Sequence, residues 1–339
     1  MSKPKPQFVG VDDGHYSIKV VREDGKCFAI PSRARVGRHI INWQSKADDS
    51  GFYETQEGNV YTVSSDLTDP SDTRFSDYPK SELNRVLVYH ALNTAELGGQ
   101  DVVITTGLPI NSYYLAEGRR NDALIQAKRA NLRRSVSRGE MPVAHIVENL
   151  VTTEAISAYF DQLMDIDGNP SKNYDEMMGA TVGVIDIGGK TSDSAVVMPG
   201  GQQVDTNRSG SSDIGVLRLN DYVKSRLVEK FELDTLPPKF VESAIRHGKV
   251  KLFGSDKDVS NLVAAEKLKV VEEVMSTVRH RIGSGADLDF VLFVGGGAVV
   301  LEKELKAIYP HGRVVEDPLF ANARGMFKIA KYVSGVAEE

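Results

Sequence analysis

TVGVIDIGGKTSDSAVVMPGG, residues 181–201, is the stretch on which the reading of this chain turns. An apolar run from Val182 to Ile187 carries Asp186 near its end, breaks at Gly188-Gly189, passes through Thr191-Ser192-Asp193 and resumes as Ala195-Val196-Val197. These are the signals of a strand, a tight polar turn and a returning strand. The two glycines let the backbone approach a bulky anion and direct successive N–H groups at it. Asp186, at the end of a buried strand, is suited to hold the water shell of a metal ion. Taken alone, the turn is better read as an ordinary hairpin. Its weight changes because the same design occurs a second time.

Near the N-terminus, Phe8-Val9-Gly10-Val11-Asp12-Asp13-Gly14-His15-Tyr16-Ser17-Ile18-Lys19-Val20-Val21 repeats it: an apolar strand, Asp-x-Gly, a short polar turn, and an apolar return that carries Lys19 as it re-enters. Asp12 and Asp13 compete for the acidic position, and the Asp-x-Gly register favours Asp12. A third element, Val291-Leu292-Phe293-Val294 followed by Gly295-Gly296-Gly297-Ala298, reads as a buried strand entering a glycine turn and then a helix. A lone Gly-Gly-Gly says little. Three such elements in this order predict two similar domains facing each other across a nucleotide.

This ordered set resembles the actin and sugar-kinase-like ATPase superfamily. Within it the chain looks most like the plasmid-segregating actin-like ParM/StbA proteins, through VDDGHYSIKV, VYHALNTAEL followed by VVITTGLPINSYY, KRANLRRSV, VTTEAISAYF and DPLFANARGMF. With the three glycine motifs, these blocks are scattered over most of the chain. The resemblance implies an α/β, actin-like fold: a duplicated ribonuclease H-like unit in two lobes with a nucleotide cleft between them. Lobe I would span residues 1–170, with a core of 1–31 and 80–170 and an insertion subdomain at about 32–79. Lobe II would span 171–339, with a core of 179–208 and 286–339 and an insertion at about 209–285.

The same resemblance assigns site residues. Asp12 and Gly14 with Lys19 look like the first phosphate loop, with Asp13, His15 and Tyr16 in the same turn. Asp186, Gly188 and Gly189 with Lys190 and Thr191 look like the second, and Gly295, Gly296 and Gly297 like the adenosine motif. His15 departs from the small hydroxyl residue that actins carry there, so a terminal-phosphate contact at that position is not implied.

Composition agrees with a nucleotide-binding globular protein. The chain has 339 residues, 41% of them hydrophobic, enough for two domains. No apolar run approaches a membrane span, and Met1 to Gln7 is polar and proline-rich without a signal-peptide core, so a cytoplasmic protein with no membrane partner is expected. The single cysteine, Cys27, excludes an internal disulfide and reads as an inert packed thiol in an apolar hairpin strand. A net charge of −6 disfavours direct binding along DNA. The seven histidines lack ligand spacing, and none is assigned to metal.

In chain order, residues 8–31 read as three strands, and Ser32 to about Pro79 as a rim subdomain with strand-like pieces at Gly37 to Trp43 and Val60 to Val63. Arg33, Arg35 and Arg38 there read first as solvated surface and second as a filament contact. Ser81 opens a helix with apolar spacing that ends before Gly98-Gly99. Asp101 to Thr105 is a buried strand. Asn121 to Arg134, with Lys128, Arg129, Arg133 and Arg134, reads as a charged helix face and, second, a partner contact. His145 to Val151 alternates as a strand, in which Glu148 is structural. Glu154 then opens a helix, where the macrodipole alone accounts for a glutamate. The resemblance adds the residue that polarises the attacking water.

Asp165 to Met178 reads as a polar connector, and Gln202 to Arg208 as continuing sheet. Ser211 to Leu217 is read as a capped helix start in which Gly215 either admits a ribose or base edge or serves close packing. Residues 239–247 and 258–282 read as further helices. Arg246, Lys249 and Lys251 match no motif. In the closing helix, Ala323 and Gly325 read as hinge packing.

A mechanism follows from these placements. The glycine turns would meet a triphosphate with N–H groups and Lys19 with a point charge. Mg2+ would be held through water by Asp12 and Asp186 from opposite lobes, and Glu154 would orient an in-line water. The preferred reading is a filament-forming protein that hydrolyses ATP (or GTP) and positions plasmid DNA through an adaptor DNA-binding protein on a centromere-like site, with no direct nucleic-acid contact. A sugar-type small-molecule kinase lacks a signature here. A non-polymerising chaperone-like ATPase is disfavoured because the chain ends about where the nucleotide domain should.

Overall fold

The computed structural model describes residues 5–39 and 50–334. The first half runs β1 (Gln7–Asp13), β2 (Ser17–Val21), β3 (Cys27–Pro31), β4 (Ala34–Val36), β5 (Ser50–Thr55), β6 (Val60–Ser64), α1 (Glu82–Thr94), β7 (Asp101–Leu108), α2 (Ile110–Tyr113), α3 (Asp122–Leu132), β8 (Val136–Ser137), β9 (His145–Thr153) and α4 (Glu154–Leu163). The second runs α5 (Tyr174–Gly179), β10 (Val182–Ile187), β11 (Ser192–Val197), β12 (Gly210–Ser212), α6 (Leu217–Phe231), α7 (Pro238–His247), β13 (Lys249–Leu252), β14 (Ser255–Asp258), α8 (Ser260–Ile282), β15 (Phe290–Val294), α9 (Gly296–Val300), α10 (Glu302–Ile308), β16 (Gly312–Val314) and α11 (Ala321–Lys328).

Two five-stranded sheets carry the architecture, ordered β3-β2-β1-β7-β9 and β12-β11-β10-β15-β16. In each, an antiparallel hairpin (β1–β2, β10–β11) is followed by two parallel additions (β7 then β9, β15 then β16). The second sheet therefore repeats the first strand for strand, which is the duplication expected of an actin-like fold. Parallel strands covered on both faces read as near-continuous apolar runs. Val182 to Ile187 and Val291 to Val294 are such runs, and all of their residues are buried. A smaller sheet, β4-β6-β5-β8, forms the rim of the first half, and α1 begins where Ser81 Oγ accepts the Asn84 N–H at 3.1 Å.

The last helix, α11, packs on the first strand and on α4. A Cβ on Gly10 would lie 1.9 Å from the Ala323 carbonyl oxygen, and one on Gly325 would lie 1.7 Å from that of Ser157. Only glycine lets these backbones touch, so Ala323 and Gly325 serve close packing.

Several local expectations are corrected. Gln202 to Arg208 is mostly turn, and the third strand of that sheet comes later, at Gly210–Ser212. Ser211 and Ser212 are therefore in a strand, and α6 starts at Leu217 without a side-chain cap. The polar connector contains the short helix α5. Cys27 is exposed rather than packed, because β3 is the edge strand. The expected strand piece at Gly37 to Trp43 falls mostly outside the described residues.

Candidate functional site

The two hairpins place their acids by register. Asp12 pairs with Lys19 across β1–β2, and Lys19 Nζ lies 2.9 Å from Asp12 Oδ2 with both groups nearly buried. Asp186 stands at the matching place in β10. Its Oδ2 accepts the Asn322 amide of α11 at 2.7 Å, and its Oδ1 is buried without a partner. Gly295, at φ +84°, crosses directly beside it, where a Cβ would sit 2.3 Å from Asp186 Oδ1. The turns also meet each other: a Cβ on Gly189 would lie 2.8 Å from the Tyr16 Cβ.

One cleft of about 1220 Å³ is lined by Asp12, Asp13, Gly14, His15, Tyr16, Lys19, Glu154, Asp186, Gly188, Gly189, Lys190, Thr191, Gly295 and Gly296. Of the expected site residues, Gly215 and Gly297 do not line it. Gly215 packs on the second turn, where a Cβ would be 2.4 Å from the Gly189 carbonyl oxygen, and the Val216 and Leu217 N–H groups donate to Gly188 and Gly189. Gly297 lies against Ile187, 2.3 Å from where its Cβ would be.

Glu154 is the first residue of α4, directly after β9, and faces the acids of both hairpins. Burial holds its carboxyl well above the usual carboxylate range; Asp193, Asp12 and Asp186 add to the shift, and Lys128 opposes it. Burial likewise pushes Asp186 up to about 7, against the pull of the Asn322 hydrogen bond. Asp193 rises to about 6 for the same first reason; its Oδ1 accepts the Ser211 hydroxyl and, at 3.0 Å, the Ile110 N–H. Such a crowded set of carboxylates is poised to receive positive charge.

Three side chains of this site went unread in the sequence. Lys128 is 1% exposed, and its Nζ donates to Asp13 at 2.8 Å and to the Gly107 carbonyl at 2.5 Å. The expectation of a charged surface face over residues 121–134 is thus overturned at Lys128, while Arg129 does pair with Glu148. Asn84 of α1 donates to the other Asp13 oxygen at 2.8 Å, so Asp13 is held by lobe I groups. Asn322 is the third. None of the three sits in a glycine turn; Lys128 and Asn322 line the cleft, and Asn84 is buried behind Asp13.

His15 is tied to the rim. Its Nδ1 lies 2.7 Å from the Thr73 carbonyl, the Thr73 hydroxyl donates to the His15 carbonyl at 2.7 Å, and the ring stacks 4.7 Å from Tyr78. Burial lowers its pKa to about 4, which keeps the imidazole neutral. Across the mouth of the cleft, Arg33 pairs with Glu242 of α7, and Arg74 lies 2.5 Å from Asp221 of α6. Arg246 lines the cleft, whereas Lys249 and Lys251 do not.

Comparison with known proteins bears on the fold. Residues 8–165 match the family model described as plasmid segregation protein ParM, N-terminal, and residues 184–307 match that of the archaeal actin homologue MreB-like, C-terminal. No curated protein matches the chain. Among solved structures, a ParM subunit from a 15-stranded filament of Clostridium botulinum superposes with a TM-score of 0.77 at 18% identity, covering 97% of this chain and 99% of that one. An archaeal actin homologue solved with ADP superposes with a TM-score of 0.73 at 19% identity, covering 96% and 99%. The actin-like protein Alp7A gives 0.75 at 15% identity, covering 98% and 99%. The first half thus matches a ParM family model and the second an actin-homologue one, and the fold is actin-like from end to end.

Proposed function

We propose that this protein is a nucleoside triphosphatase whose nucleotide state controls a homopolymer filament, working in the cytoplasm in plasmid DNA partition through an adaptor DNA-binding protein. The observation that carries the reading is the single cleft shared by Asp12 and Asp186, one acid from each half of a duplicated fold. Two glycine turns and Lys19 supply the donors and the point charge that a triphosphate requires.

The donor set fits Mg2+. Asp186 Oδ1 is buried and unpartnered, and among the described residues no group of three or more ligands forms a cage. Mg2+ keeps most of its waters and takes few carboxylates, so Asp12 and Asp186 would hold it through water. When bound, it would neutralise charge on the phosphates. Asn322 fixes the Asp186 carboxylate, and Lys19 fixes that of Asp12. Glu154 would accept a hydrogen bond from the attacking water and align it with the terminal phosphate, acting by position, as expected where catalysis is mostly placement.

Self-association is supported by the likeness to a subunit of a solved filament. Light scattering and sedimentation after addition of ATP and magnesium test the whole reading: polymer should form and decay as phosphate is released. A protein that stays monomeric with every nucleoside triphosphate and phosphorylates a sugar would refute it. Glu154→Ala tests the site. Hydrolysis should slow by about 100-fold or more, with nucleotide affinity nearly unchanged by fluorescence titration. Full turnover by this variant would remove Glu154 from its role.

A further inference from the structure

Two acceptor atoms at the Asp186 end of the cleft stand without donors. Asn322, the second residue of α11, lines the cleft and is only 5% exposed. An ionised carboxylate can only accept, so the amide turns its nitrogen to Asp186 Oδ2, at 2.7 Å, and its oxygen is the free end. Asn322 Oδ1 is buried with no hydrogen-bond partner, and so is Asp186 Oδ1. Buried acceptors ordinarily find a donor.

Nearby donors of the chain are engaged elsewhere. Lys19 Nζ is on Asp12, the Arg324 guanidinium is on Asp161, and the Gly295 N–H donates to the Pro318 carbonyl at 2.9 Å. Nor does the free oxygen belong to a loose element. α11 is held on β1 by the approach of Ala323 to Gly10 and on α4 by Gly325 against Ser157. Asp161 of α4 fastens it again, receiving Lys328 at 2.6 Å and Arg324 at 2.7 Å. Asn322 is therefore offered to the cleft by a helix fixed along its length.

The missing partner must be a donor, which excludes a phosphate group, whose oxygens are acceptors. Water held by a cation is the reverse case: its oxygen faces the metal and its hydrogens point outward. We propose that Asn322 is a third protein contact of the magnesium shell, its Oδ1 accepting a hydrogen bond from a metal-held water. The inference rests on the nucleotide reading above and adds a neutral acceptor to its two acids. A ribose hydroxyl also donates, but the free oxygen belongs to an amide tied to Asp186, and an acid draws a cation with its waters. Since α11 is fastened to α4, and α4 begins at Glu154, one rigid element would join the metal's shell to the residue assigned to the attacking water.

The test titrates magnesium against the full chain with a fluorescent, hydrolysis-resistant ATP analogue, so that turnover does not enter. Asn322→Leu should raise the magnesium concentration needed for half-maximal tightening by about ten-fold or more, with affinity in EDTA unchanged. Asn322→Asp keeps an acceptor in place and loses only the donor to Asp186, so its magnesium requirement should match the wild type or fall below it. An unchanged requirement in Asn322→Leu overturns the contact. Equal loss in both variants also overturns it, because Asn322 then acts only through Asp186. So does a wild-type requirement combined with lost discrimination against deoxyribonucleotides, which assigns the oxygen to the ribose. A crystal structure of the wild type with the analogue and magnesium decides the matter however the variants fold: a metal-held water within hydrogen-bond distance of Asn322 Oδ1 is expected, and any other partner for that atom overturns the proposal while leaving the nucleotide reading intact. If the wild type binds no nucleotide in the cleft, that reading falls and the contact falls with it.

Discussion

Lys128 shows what a single side chain can hide. The run Lys128, Arg129, Arg133, Arg134 has the composition of a solvated face, and three of its members leave that impression undisturbed. The fourth turns inward and meets an acid 115 residues earlier in the chain. Nothing local in the sequence encodes that pairing, whereas Asp12 and Lys19 are neighbours across one hairpin and were legible for that reason. Removing one partner of a buried ion pair leaves an uncompensated charge, so Lys128→Met should destabilise the protein by about 3–5 kcal/mol. Asp13→Asn in the same chain should recover part of the loss in equilibrium urea denaturation. A simple surface lysine would show neither effect.

His15 makes a second prediction at this scale. Its folded-state pKa, about 4, lies below the ordinary value of 6.5, so the unfolded chain takes up the proton first. The contribution of His15 to stability is therefore intact above about pH 6.5 and is lost progressively as pH falls through 4. The imidazole resonances of His15 should still report the neutral ring at pH 5.5 by NMR. A midpoint near 6.5 would show that the clamp with Thr73 does not form.

Among the elements, the hairpins, α1, α7, α8 and the glycine turn into α9 were readable from periodicity and punctuation, because each is specified by residues close in sequence. The misread elements are those specified by tertiary partners. β12 is three residues long and exists because β11 offers it an edge; the start of α6 has its first N–H groups met by the carbonyls of Gly188 and Gly189 instead of by a cap. β13 alternates strictly but over only four residues, and β14 is polar throughout, so neither carries a strand signal of ordinary length. Close approach of elements gives a direct test. Gly325→Ala would drive a methyl group into the Ser157 backbone, which overpacking data price at about 1–3 kcal/mol, or more where backbone must move. Chemical denaturation should show the loss, and Gly179→Ala, whose Cβ would meet nothing within 4 Å, should not.

For the molecule as a whole, the cleft is spanned at its mouth by two ion pairs of unequal burial. Arg33 and Glu242 have side chains 14% and 26% exposed, against 38% and 55% for Arg74 and Asp221. Exposed pairs contribute about 0–1 kcal/mol and weaken with salt. Arg33→Ala should therefore speed release of a fluorescent nucleotide more than Arg74→Ala does, by roughly 2- to 5-fold on the same scale, and 1 M salt should erase the Arg74→Ala effect before the Arg33→Ala one. Stopped-flow displacement measures both. Equal, salt-independent rates would show that these pairs do not hold the lobes together.

The seating of α11 on β1 and α4 has a consequence for how the polypeptide is made. Domains generally fold as they leave the ribosome, N-terminal part first. Here the opening strand waits for a helix translated some three hundred codons later, because α11 packs on Gly10 through Ala323 and Phe327 and on Ser157 through Gly325. The nascent first lobe therefore emerges with a bare apolar seam, and chaperone occupancy during translation should persist until α11 clears the exit tunnel.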